Sequence, residues 1–119
     1  MANVQNPKNF VITPGAGVEG AAVSDYTIAY AAAPGNSPPA GFPVGAPQVL
    51  VPAKDLTPQA DGTILVPIPD IVTNTLAPGT YAADCAANST AAGTESAFTA
   101  PVFFDITAPV PAVPGFGVA

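Results

Sequence analysis

Between residues 25 and 30 the chain reads Asp-Tyr-Thr-Ile-Ala-Tyr, which sets Tyr26, Ile28 and Tyr30 against Asp25, Thr27 and Ala29. Successive side chains of an extended backbone point to opposite faces, so this alternation predicts a half-buried β-strand. Similar runs recur along the chain. Asn9-Phe10-Val11-Ile12-Thr13 predicts a first strand, closed by the turn cluster Pro14-Gly15-Ala16-Gly17. Gln48-Val49-Leu50-Val51-Pro52-Ala53 predicts a short strand at an edge or a bulge, because Pro52 has no N–H to give to a ladder. Residues 63–72 put Ile64, Val66 and Ile68 on one side, and Pro67 and Pro69 blunt pairing on an exposed edge. Residues 80–88 form another strand, and residues 96–107, which contain Val102-Phe103-Phe104-Asp105-Ile106, form the longest extended segment.

The intervening stretches read as connections. Residues 18–23 are a weak, Ala-rich run, 54–62 are turn-like and end in Asp61-Gly62, and 89–95 are a further turn. Residues 33–47 hold five prolines and three glycines and predict a long irregular loop. No stretch shows the spacing of an amphipathic helix. About seven short strands with Gly/Pro turns predict an all-β fold, an antiparallel sandwich or barrel. The expected organisation is a polar N-terminal arm over 1–9, a β-domain over 10–107 and a tail over 108–119. Pro109, Pro111 and Pro114 make that tail extended and polyproline-like. Its Val110, Val113, Phe116 and Val118 are poorly solvated alone, so the tail is expected to lie on another surface, in its own subunit or in a neighbour.

Charge narrows the partners. The only basic residues are Lys8 and Lys54, set against eight acids, for a net charge of -6. Phosphate backbones and anionic membrane surfaces both require a basic stripe, so neither nucleic acid nor a membrane is an expected partner. Mean hydropathy is +0.41, yet no window approaches the roughly 18 to 20 apolar residues of a spanning helix. The first residues, Met1-Ala2-Asn3-Val4-Gln5-Asn6-Pro7-Lys8, lack the basic and then apolar look of a signal peptide, so the chain is expected to act where it is made or to leave in an assembled particle. The 16 Pro and 11 Gly approach low-complexity composition, but the clustered Val, Ile, Phe and Tyr argue for a folded domain. Charged residues are 8% of the chain against about 25% in typical soluble domains, so much of the surface is Ala, Thr, Ser, Pro and Gly, suited to being covered by neighbours.

Catalytic chemistry finds few residues. With no His, Ser-His-Asp and Cys-His catalysis are excluded, and no enzyme activity, cofactor or metal is expected. Cys85 has no second Cys for an internal disulfide; pairing between chains and a reactive thiol are the alternatives to a packed thiol, the reading that alternation with Tyr81, Ala83 and Ala87 favours. The scattered carboxylates, Asp55 and Asp61 among them, read as solvated surface groups and not as a hydrolytic pair or a Ca²⁺ loop. The sequon Asn88-Ser89-Thr90 reads as a chance match.

At Leu76-Ala77-Pro78-Gly79-Thr80-Tyr81, followed by Ala82-Ala83-Asp84-Cys85-Ala86-Ala87-Asn88, the chain resembles a fibronectin type III or related immunoglobulin-like domain. That resemblance implies an immunoglobulin-like antiparallel β-sandwich over roughly residues 7–107. It makes Leu76 and Tyr81 the members of a tyrosine corner, with the Tyr81 hydroxyl bonded back to backbone a few residues upstream. It makes residues 25–30 the central strand and residues 102–106 the final one. The chain departs from the family pattern in having no core Trp and in a Leu76-to-Tyr81 step one residue shorter than usual. Domains of this look, with arms and few charges, are similar to tailed-phage capsid decoration proteins. The resemblance implies a non-enzymatic virion protein, present in many copies, whose partners are capsid or other virion subunits or further copies of itself. The alternative is a binding module for carbohydrate or a cell surface, which calls for exposed loop aromatics; the 33–47 loop offers only Phe42.

Overall fold

The computed structural model describes residues 3–68, 76–108 and 111–119. Its strands are β1 (Val4–Gln5), β2 (Asn9–Ile12), β3 (Asp25–Ala32), β4 (Gln48–Pro52), β5 (Ile64–Pro67), β6 (Gly79–Ser89), β7 (Thr94–Glu95) and β8 (Val102–Ile106). Two short 3-10 turns, Pro34–Asn36 and Ala53–Asp55, are the helical elements among the described residues. The protein is therefore all-β. One sheet runs in the order β1-β8-β6-β3-β4, with β7 added beside the end of β6, and a second sheet contains β2 and β5.

The strands form where period two is clearest. β3 pairs antiparallel on both sides, with Tyr26 opposite Val51 and Ala87, and Ile28 opposite Val49 and Cys85. Both of its faces are buried, Tyr26 and Ile28 on one side and Thr27 and Ala29 on the other. β4 is an edge of the large sheet, and Pro52 sits at its end, opposite Asp25, where a missing N–H costs least.

The core lies between the sheets in two joined clusters. Ile12, Tyr26, Ile28, Ile64 and Val66 form one, and Tyr81, Ala83, Phe104 and Ile106 form the other. Phe10 packs against both and meets the Phe104 ring edge-on at 5.9 Å between centroids. Each large apolar side chain moved from water into such a cluster contributes about 1.5–3 kcal/mol.

Two segments differ from expectation. Residues 96–107 do not make the longest strand: β8 holds 5 residues and β6 holds 11. Pro101 supplies no N–H just before β8, and upstream of it side-chain hydroxyls stand in for ladder carbonyls. The Cys85 amide donates to Thr99 Oγ1 at 3.2 Å and the Ala87 amide to Ser96 Oγ at 2.9 Å. The strand expected over 63–72 is observed as β5, with Ile68 buried beyond its end, and positions 69–72 lie outside the described residues. At the N-terminus, Val4–Gln5 of the expected arm run parallel to β8. Asn6 fixes them there: its amide nitrogen donates to the Asp105 carbonyl at 2.7 Å, and its side chain both donates to Thr107 Oγ1 and accepts from the Thr107 amide.

Candidate interaction site

The tail leaves the large sheet after Ile106, beside Gly79 at the start of β6. Val113 is 94% exposed, Phe116 100% and Val118 98%; Val110 lies outside the described residues. Fully solvated Val and Phe side chains, in a chain whose other aromatic residues are all buried or half-buried, are the most conspicuous unpartnered apolar surface among the described residues.

A second apolar surface lies between the sheets. Among the described residues the second layer holds two strands, and the end of β8 at Val102 is left open. Val102, Phe104 and Ile106 alternate onto the inner face; Phe104 is 4% and Ile106 6% exposed, but Val102 is 59% exposed. The resulting groove encloses about 1000 Å³ and runs between residues 13–23 and 94–102. Ile12, Val23, Tyr26, Ala83, Cys85 and Val102 line it, and the exposed carboxylates Glu19 and Glu95 stand among its walls.

Burial raises the Tyr26 hydroxyl above its ordinary pKa, with the neighbouring Cys85 adding to the effect. Burial also pushes the Cys85 thiol up, helped by the charge of Asp84. A thiol held protonated in this way is a poor nucleophile and packs as a small apolar group. Cys85 is half-buried against the first core cluster. No protein-family model, curated protein or solved structure matches the chain. The site is therefore read from its own geometry.

Leu76 and Tyr81 come together. Leu76 packs against the second cluster, and the Tyr81 hydroxyl donates to the Ala77 carbonyl at 2.6 Å while its ring stacks on Phe104 at 5.8 Å. This arrangement ties the chain entering β6 to the core, so it is architectural and lies away from the groove's loop end. Asp61 and Asp55 do not converge on a ligand. Asp61 Oδ1 accepts from the Thr63 amide and hydroxyl and caps the turn into β5, which lowers the pKa of its carboxyl; Gly62 takes the positive φ of 86° that the turn needs. Among the described residues no cluster of three or more His, Cys, Asp or Glu is placed to hold a metal, and no helix is long and apolar enough to cross a membrane. Asn88 of the sequon is engaged, its side-chain amide donating to Asp25 Oδ1 and Thr27 Oγ1. Phe42 is half-buried in its loop.

Two features escaped the sequence reading. The groove is one, because it depends on how the two layers overlap. The other is Asp84, read as a solvated acid but only 5% exposed, with Oδ1 buried and lacking a hydrogen-bond partner among the described residues. It sits among Ala29 across the ladder and Ala82 and Ala86 along the strand. Strict alternation between Ala83 and Cys85 was the available signal for its place on the opposite face.

Proposed function

We propose that the chain is a non-enzymatic structural protein of a multi-copy assembly, an immunoglobulin-like sandwich that attaches through its extended apolar tail. The most concrete form is a bacteriophage virion protein that decorates or cements the capsid. The observation that carries the reading is the tail itself: Val113, Phe116 and Val118 stand almost wholly in water on a chain that is only 8% charged. Leaving such side chains unburied costs the free energy that docking recovers, so a partner surface is their natural end state.

The immunoglobulin-like part rests on topology and one hydrogen bond. The order β8-β6-β3-β4 follows the G-F-C-C′ order of the variable-type sheet, facing a second layer of β2 and β5. Tyr81, near the start of the F-like strand β6, bonds back to Ala77 in the manner of a tyrosine corner. The step from sandwich to virion is a resemblance in surface character: few charges, Pro-blunted edges and projecting ends.

The test is to purify particles from the source and measure whether this chain co-sediments with them at a fixed copy number. Stoichiometric co-sedimentation supports the reading, and its absence from particles refutes it.

A further inference from the structure

We infer that the groove between the sheets receives the C-terminal tail of a second copy of this chain, so that copies associate head to tail. The inference rests on the reading of the tail as an attachment segment and names the surface that receives it.

The chain carries an apolar donor and an apolar acceptor at opposite ends of the sandwich. The tail departs at the Gly79 end of β6, whereas the groove is lined by the other end of that strand and by residues 13–23 and 94–102. Residues 111–119 carry neither helix nor strand, and with Pro111 and Pro114 an extended, polyproline-like run of nine residues reaches roughly 28 Å at about 3.1 Å per residue. Val113, Phe116 and Val118 are 94–100% exposed, so the tail does not lie in its own groove. Its reach favours a neighbour.

The chemistry of the two surfaces matches. A volume of about 1000 Å³ is on the scale of pockets that enclose a drug-sized ligand, enough for the side chains of Val113, Phe116 and Val118. Polyproline-like segments bind in apolar, aromatic-containing grooves because they arrive already extended and demand few backbone hydrogen bonds. Phe10 and Tyr26 supply the aromatic walls. Residues 108–119 contain no charged side chain, so the tail is the part of a -6 chain best suited to approach another copy. Because donor and acceptor are different surfaces, the contact is heterologous and generates rings or open chains instead of closed dimers.

Sedimentation of the full 119-residue chain over a concentration series tests this. The expected result is an average mass that rises from 11.7 kDa through multiples of it, more steeply in high salt, where repulsion between acidic copies is screened. Removing residues 108–119 yields monomers, and so does Val102→Asp, which places a charge at a groove position 59% exposed and therefore tolerant of it. Val23→Asp, at 43% exposure, is the second groove variant should the first misfold. The decisive mixture combines the tail-deleted chain, whose groove is intact, with the Val102→Asp chain, whose tail is intact. Head-to-tail docking predicts a 1:1 heterodimer, abolished by adding Phe116→Ala to the second chain. A full chain that stays monomeric, or a mixture that does not pair, overturns the inference. Co-sedimentation with particles is scored separately: particle binding by a chain that does not self-associate refutes the groove assignment and leaves the assembly role standing, and self-association without particle binding does the reverse.

Discussion

Asp84→Asn should stabilise the fold at neutral pH. The residue is 5% exposed, Oδ1 has no donor among the described residues, and its neighbours across and along the sheet, Ala29, Ala82 and Ala86, offer none. An unsatisfied buried polar group costs about 1–3 kcal/mol, more when charged. Replacing carboxylate by a neutral amide of the same shape removes the charge but keeps one polar atom buried, so a gain of about 1 kcal/mol is expected. With an unfolding entropy of about 2.1 cal/mol/K per residue over a domain of about 100 residues, that gain corresponds to a Tm rise of about 5 °C. The pH dependence has a fixed sign. Burial raises the folded pKa of Asp84 above its ordinary value of 3.8, with a backbone hydrogen bond opposing. The stability this group contributes is fully present below its unfolded pKa and is lost as pH rises through the folded value. The difference between Asp84→Asn and the parent should therefore be largest near neutrality and close on acidification. Urea unfolding at steps from about pH 8 to about pH 4 measures it. A difference of zero, or one that stays constant with pH, refutes the claim that a buried carboxylate with one unpartnered oxygen destabilises the sheet.

Other expectations follow from single contacts. Tyr81→Phe keeps the ring stacked on Phe104 and deletes the bond to Ala77, so chemical denaturation should report a loss of about 1 kcal/mol; Tyr81→Ala should cost about 3–5 kcal/mol through the cavity it leaves. Deleting residues 108–119 removes side chains that are 94–100% exposed at Val113, Phe116 and Val118, so the Tm of the dilute chain should not change. Cys85 should react with a thiol alkylating reagent more slowly in the native chain than in urea at the same pH, because burial and Asp84 hold the thiol protonated.

How far the sequence predicts this fold depends on where side-chain period alone decides the outcome. The alternation of residues 25–30 specified β3 and the sidedness of Tyr26, Ile28 and Tyr30, and Pro52 indicated the edge occupied by β4. The all-β class followed from the same pattern. Periodicity failed between residues 96 and 101, where extended residues make bonds to β6 partly through Ser96 and Thr99 hydroxyls and do not extend β8. Side-chain pattern does not report which atom accepts a backbone N–H. The N-terminal pairing of Val4–Gln5 with β8 spans about a hundred residues and rests on Asn6, a polar residue with no strand signature.

The candidate site was legible in one half only. A Pro-rich apolar tail is visible in composition, because Pro109, Pro111 and Pro114 exclude a helix and Val113, Phe116 and Val118 lack polar company. The groove was not, since it arises from how the two layers overlap: among the described residues β2 and β5 leave Val102, at the start of β8, uncovered. Asp84 was hidden for a similar reason. Alternation places Asp84 on the face opposite Ala83 and Cys85, but whether that face meets water depends on what packs over it, which side-chain period does not report.

Charge then connects the two surfaces. A monomer that exposes both an apolar tail and an open apolar groove is prone to associate at once after synthesis. The net charge of -6 opposes this over a range of about 10 Å at 0.1 M salt, and Glu19 and Glu95 place part of that repulsion beside the groove. The same acids do little to oppose a docked tail whose side chains are uncharged, because the apolar burial it gains does not depend on salt. If copies dock head to tail as proposed, repulsion at long range and apolar attraction at short range keep them apart when dilute and let them join when concentrated. On this reading, Glu19→Gln combined with Glu95→Gln should strengthen self-association at low salt and have a diminishing effect as salt is raised. An effect independent of salt would place the acids' role in local packing and not in the field between copies.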